Sequence, residues 1–291
     1  MYYEQYYAPN RTMKTFYWGK DELCRACVPE IQAIFFIADS SETVQDFADW
    51  MNFNSDLGNF SKLIMISIPI DIIDKIDWAG IGSGLRHLHI SHPVFEDIWS
   101  MYSESRLPIF PTRSLQNLET LNIICPLVKW VSLDVSQLKS LKWFGLELEG
   151  MDKNGKSIEM VCRNSGIVGI DISTPKGQDF LGKISADMES IAIHMWTAKK
   201  VDFAEFSRFY KLRHLILRGG GCVVDLGFLK DLEELEELEI LSYPEVVGLE
   251  NLSHLKKLRR LRIGFLDKEL ASESHSILSE VKNRVEIFEV D

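Results

Sequence analysis

The stretch "DLEELEELEI", residues 231–240, packs six acids and four apolar residues into ten positions. Taken alone it reads as an acidic surface helix. Extended in both directions it reads otherwise. Leu226, Leu229, Leu232, Leu235 and Leu238 recur every three residues, and Ile240 follows after two. An α-helix of about 3.6 residues per turn would smear a strict step of three around most of its circumference. The closing step of two belongs to a strand, where Leu238 and Ile240 share a face. The same pattern returns 23 residues later as Leu249, Leu252, Leu255, Leu258, Leu261, Ile263, and 23 residues earlier as Phe203, Phe206, Phe209, Leu212, Leu215, Leu217. The segment is one rung of a repeating scaffold.

Charge supports the same period. A shift of 23 residues lays Glu233, Glu234, Glu236, Glu237 and Glu239 over Lys256, Lys257, Arg259, Arg260 and Arg262. In stacked parallel strands such residues become lateral neighbours, so the expectation is five ion pairs formed position for position.

These residues resemble the leucine-rich repeat, whose signature is L-x-x-L-x-L in units of about 20–29 residues. Looser copies start at Leu63, Leu85, Leu118, Leu141, Ile167, Met188 and Val285. The resemblance covers residues 61–291 and implies an α/β fold: a right-handed solenoid with a concave parallel β-sheet and a helical or irregular convex side. The family places Asn or Cys eight residues after the first leucine, where it bonds the neighbouring turn. Here Asp71, Pro93, Pro126, Glu149, Pro175, Trp196, Gly220, Tyr243 and Leu266 occupy those positions, so the turns need another means of support.

Terminal units of a repeat array need covering. Residues 1–60 are aromatic and read as an N-terminal cap, with "IQAIFFIAD" as a first strand. Residues 61–291 read as about nine to ten units, ending in a C-terminal cap over 267–291. In that cap Leu270, Ile277, Leu278 and Val281 have helical spacing and lead into the last strand, "VEIFEVD". The long Leu85 unit adds "PVFEDIWSMYSE", whose apolar residues share one helical face.

With 43 acids against 32 bases the chain carries a net charge of −11. That balance repels phosphate backbones and suits a basic protein partner. No apolar run is long enough to span a bilayer, and "MYYEQYYAPNRTMKTFYW" has no apolar signal core. The five scattered cysteines read as reduced thiols, which points to the cytoplasm.

Catalytic signals are sparse. Neither a phosphate-binding G-x-x-x-x-G-K-[ST] loop nor an H-E-x-x-H helix is present. Cys24-x-x-Cys27 is half a zinc site without a second half. "HLHISH" puts His87 and His89 on one face of a strand with His92 beyond, which keeps a metal-binding or enzymatic alternative open. The expectation is a non-enzymatic interaction scaffold without cofactor or metal, monomeric when unbound. A narrower form is the inhibitor or immunity protein of a basic toxin, and the other alternative is a structural assembly protein. The resemblance puts the residues between the leucines on the concave face. Among them His89, Asn122, Trp143, Glu147, Asp171, His194, His214 and Arg218 are the expected contacts, with Trp143 as an exposed aromatic anchor.

Overall fold

A computed structural model describes residues 13–18, 25–36, 42–81, 83–91, 110–129, 135–149, 166–173, 178, 180–194, 199–265 and 272–290. The chain forms two compact units, Met1–Gly150 and Met151–Asp291. The first holds strands β1 (Thr15–Trp18), β2 (Ala33–Phe36), β3 (Met65–Pro69), β4 (His87–Ser91), β5 (Thr120–Lys129) and β6 (Trp143–Glu149). Each pairs in parallel with the next. The second holds β7 (Gly169–Ser173), β8 (Ser190–His194), β9 (His214–Arg218), β10 (Val223–Asp225), β11 (Glu237–Tyr243), β12 (Glu245–Val247), β13 (Arg260–Phe265) and β14 (Ile287–Val290). Here β7, β8, β9, β11, β13 and β14 pair in that order, all parallel. Strands β10 and β12 form a separate parallel pair.

The leucine period sets the register. Leu215 lies beside Leu238 and Leu238 beside Leu261, one repeat apart each time. The first apolar residue of each rung is buried at Leu63, Leu85, Leu118 and Leu141 in the first unit, and at Ile167, Met188, Leu212, Leu235 and Leu258 in the second. The backbone ties the rungs together just ahead of the strands. The Arg213 carbonyl accepts from the N–H groups of Glu236 (2.8 Å) and Glu237 (2.9 Å), and the Glu236 carbonyl from those of Arg259 (2.8 Å) and Arg260 (3.1 Å).

Behind the sheet of the second unit stand three short 3-10 turns, Phe203–Arg208, Leu226–Asp231 and Leu249–His254. Asp202 caps the first by accepting from the Ala204 N–H, and Asp225 caps the second by accepting from that of Gly227. Phe206 and Phe228 pack ring on ring across the first two turns, with centroids 5.4 Å apart. Among the described residues the α-helices are α1 (Glu42–Asp56), α2 (Trp78–Ile81) and α3 (Ser272–Lys282). Of the four apolar residues with helical spacing near the C-terminus, Leu278 and Val281 are buried, Ile277 is half-buried and Leu270 lies outside the described residues, and β14 pairs with β13.

The N-terminal stretch expected as a cap carries two strands of the same ladder. Met13, Phe16 and Trp18, then Ile31, Ile34 and Phe36, keep the repeat's steps of three and two, with aromatic residues where leucine usually stands. The "PVFEDIWSMYSE" segment, Cys24, Cys162 and His92 lie outside the described residues.

The missing Asn ladder has a steric replacement in the second unit. Gly220 and Tyr243 occupy equivalent turn positions in successive repeats, and a Cβ on Gly220 would sit 2.2 Å from Cε1 of the Tyr243 ring. The fully buried ring fills the space that a side chain at 220 would need. Just before them, Gly219 and Ser242 both adopt positive φ, 74° and 63°. Gly220→Ala is expected to lower unfolding free energy by about 1–3 kcal/mol through overpacking. Gly221→Ala, where a Cβ meets nothing within 4 Å, should stay within about 0.5 kcal/mol of the parent or gain slightly. Urea denaturation of both variants reads the difference.

Candidate functional site

The face of each sheet opposite the leucines carries the expected contact residues, and each unit has its own set. In the first unit the rows run Ala33, Met65, His87, Thr120, Trp143 and Phe35, Ser67, His89, Asn122, Gly145. Nδ1 of His87 lies 2.9 Å from Oγ1 of Thr120. The Asn122 amide donates to Nδ1 of His89 over 3.1 Å, which leaves the ring proton on Nε2. Asn122 can lie flat because its neighbour is Gly145, where a Cβ would stand 2.1 Å from the Asn122 Oδ1. Burial lowers the pKa of His87 and takes that of His89 down to about 4, so both rings are neutral near pH 7.

Trp143 departs from expectation. It is 3% exposed and belongs to a cluster with Ala33 and Met65, against which Met13, Phe35 and Ile64 pack. An indole beside small and apolar neighbours gains more from covering them than from facing water. Trp143 is a packing residue of this face and not an exposed anchor. Asn122 is likewise 3% exposed, His89 is half-buried, and Glu147 lies in β6 with its side chain outside the described atoms.

In the second unit Nε2 of His194 lies 3.2 Å from Oδ1 of Asp171, both half-buried. His194 sits beside Arg218 in the register of β8 and β9. His214 is buried, and that burial, helped by the nearby Arg213 charge, lowers its pKa to about 4. Arg218 is exposed and bonds Glu239. Glu239 is 7% exposed and also accepts from Nη1 of Arg262 at 3.0 Å, while Nε of Arg262 bonds Glu289. Burial pushes the Glu239 carboxyl up, but Arg218 and Arg262 on either side outweigh it and hold the group below the usual carboxylate range.

Only part of the expected charge pairing forms. Glu234 meets Lys257 at 2.6 Å and Glu239 meets Arg262. Glu236, however, pairs with Arg213 at 2.7 Å, and Arg259 turns to Glu286 at 2.8 Å. Lys256 donates to the Ser253 carbonyl. Among the described residues no ion pair joins Glu237 to Arg260, although they are register neighbours. Each rung has two lateral neighbours, and a comparison of two rungs sees only one. The residues ahead of the strands run Glu189, Arg213, Glu236, Arg259, Glu286, so each of the three inner charges lies between opposite charges. Sequence reading places Thr120 on the concave row without singling it out as a contact, and it misses Glu286 and Glu289. Extending the shift of one repeat beyond Arg262 would have found both glutamates.

No family profile and no curated protein matches this chain in sequence. Its backbone is similar to the chain in the crystal structure of a TLR13–ssRNA13 complex, with TM-score 0.56 and 12% identity over 89% of this chain. The match spans 37% of that longer chain. It is also similar to an internalin of Listeria monocytogenes, with TM-score 0.50 and 13% identity, covering 96% of this chain and 82% of the internalin. The fold is a leucine-rich-repeat solenoid. In leucine-rich-repeat terms, the buried rows are the repeat leucines and their aromatic substitutes, and the residues between them form the open face. Among the described residues there is no group of three or more His, Cys, Asp or Glu placed to hold a metal, and no helix long and apolar enough to cross a membrane.

Two measurements follow from this geometry. His89 and His214 have folded pKa values near 4, against about 6.5 when unfolded. Their contribution is therefore complete above about pH 6.5 and declines as pH falls toward about 4, because the unfolded chain takes up the protons first. The thermal midpoint should fall across that window, and His89→Gln should flatten the fall. Glu239, with its depressed pKa, adds a further loss only at lower pH, as acid reaches its folded value. Glu239→Gln leaves Arg218 and Arg262 with a neutral partner and should cost about 1–2 kcal/mol in urea denaturation at neutral pH.

Proposed function

We propose that this chain is a non-enzymatic scaffold that binds a protein partner through the open faces of its leucine-rich repeats. The observation that carries this reading is preorganisation. On both units the polar side chains of the open face are held by their neighbours, as in His89–Asn122 and Asp171–His194, so little side-chain freedom is lost when a partner docks. His89, Glu147, Asp171, His194 and Arg218 are the proposed contacts. Asn122, Trp143 and His214 support them from buried positions.

The partner is basic in this reading, because the chain carries 11 more acids than bases. A neutralising role toward a cationic protein, such as the immunity protein of a toxin, is its narrowest form. The chain acts as a monomer in the cytoplasm, where a thiol such as that of Cys222 stays reduced.

The test compares three immobilised baits in lysate of the source cells: the parent, a Glu147→Lys/Asp171→Lys variant, and a control with Asp231→Lys/Glu250→Lys on the exposed outer turns. The expected result is one basic protein retained by parent and control and lost by the face variant. Retention by all three baits would remove the open face from the reading. A partner that is acidic, or held equally at high salt, would remove its charge argument.

A further inference from the structure

Most of the acidic excess lies off the open faces. In the first unit the two rows given above hold no charged residue and Glu147 stands next along β6, while in the second unit Asp171, Glu237, Glu239 and Glu289 are set against Arg218, Arg260 and Arg262, an excess of one acid. The two most exposed large apolar residues of the described chain stand elsewhere. They are Phe53 in α1, 61% exposed, and Leu57 just past its end, 59% exposed.

Helix α1 buries Phe47, Ala48, Met51, Asn54 and Ser55. At about 100° per residue, Asp46, Asp49, Phe53, Asp56 and Leu57 fall within one arc of about 120° on the opposite side, and all five are exposed. The helix contains neither Lys nor Arg. Asn52 fixes a second acidic segment along one flank. Its amide donates to the Lys75 carbonyl (2.8 Å), and its Oδ1 accepts from the Asp77 N–H (2.7 Å). Asp74, Lys75 and Asp77 are exposed there. Five carboxylates and one ammonium thus border two uncovered apolar side chains.

We infer that this face of α1 is a docking surface for a basic, amphipathic helical segment of a partner protein. An apolar stripe on that segment covers Phe53 and Leu57, and Lys or Arg on its flanks meets Asp46, Asp49 and Asp56. Charge selects among the possible occupants. A second copy of the chain would bring the same aspartates against themselves in a two-fold contact. Anionic lipid and nucleic acid meet the same repulsion. The inference rests on the proposed function only in taking the partner to be basic, and it places a contact outside the open faces.

The experiment uses the full chain and two fluorescent synthetic helices. One carries leucine on one face and lysine on the other, and its counterpart has glutamate in place of lysine. Fluorescence anisotropy should show the lysine peptide binding and the glutamate peptide failing to bind. Phe53→Ser/Leu57→Ser, which leaves charge unchanged, should weaken binding by about tenfold or more. Asp46→Asn/Asp49→Asn/Asp56→Asn should weaken it similarly and reduce its salt dependence. Asp231→Asn/Glu250→Asn on the second unit should change nothing. Binding that survives the Phe53/Leu57 change, or is lost equally in the second-unit control, would overturn the inference. So would concentration-dependent self-association that the Phe53/Leu57 change abolishes. None of these outcomes bears on the bait comparison with Glu147→Lys/Asp171→Lys, so the two readings can fail separately.

Discussion

Everything in both units depends on side-by-side repetition. In parallel strands paired in register, the residue at one position always lies against its equivalent one repeat before and one repeat after. Each side chain is therefore tested against two lateral neighbours as well as against the core. Leucine beside leucine satisfies this on the buried side, where Leu215, Leu238 and Leu261 form one row. On the open side a row of identical charges would repel itself, and the chain answers with alternation or with neutral side chains.

That constraint explains which parts of the molecule could be read in advance. The steps of three and two from Leu212 to Ile263 announce strands and their register, because the repeat is close to constant there. Of the N-terminal rungs, the strand within "IQAIFFIAD" is readable, whereas the one before it is hidden and neither shows as a repeat, because of their residue types. Phe16, Trp18 and Phe36 keep the steps without the leucines, and the distance between rungs changes from one to the next. Trp143 was misjudged for another reason. Its strand position was right, but its burial depends on Ala33 and Met65, contributed by distant rungs, and no local pattern reports that contact. The exposed stripe of α1 was legible as a helical pattern, yet it lay in a stretch assigned to capping.

The open faces combine stiffness with modest charge. His89 and His214 are kept neutral by burial, and Glu239 is kept ionised by two arginines, so both kinds of titratable group are committed to one state near neutral pH. A surface arranged in this way offers a fixed pattern of donors and acceptors instead of a variable field. The longer-range acidic field arises from residues elsewhere, including those around Phe53.

The alternating column Glu189, Arg213, Glu236, Arg259, Glu286 also constrains how such a chain can change length over evolution. Removing one repeat between residues 213 and 259 would set arginine beside arginine, and duplicating one would create a like-charged pair. Adding or removing two adjacent repeats preserves the order of signs. The column therefore acts as a parity rule: this part of the array can lengthen or shorten by even steps at little electrostatic cost, while odd steps require a compensating charge substitution.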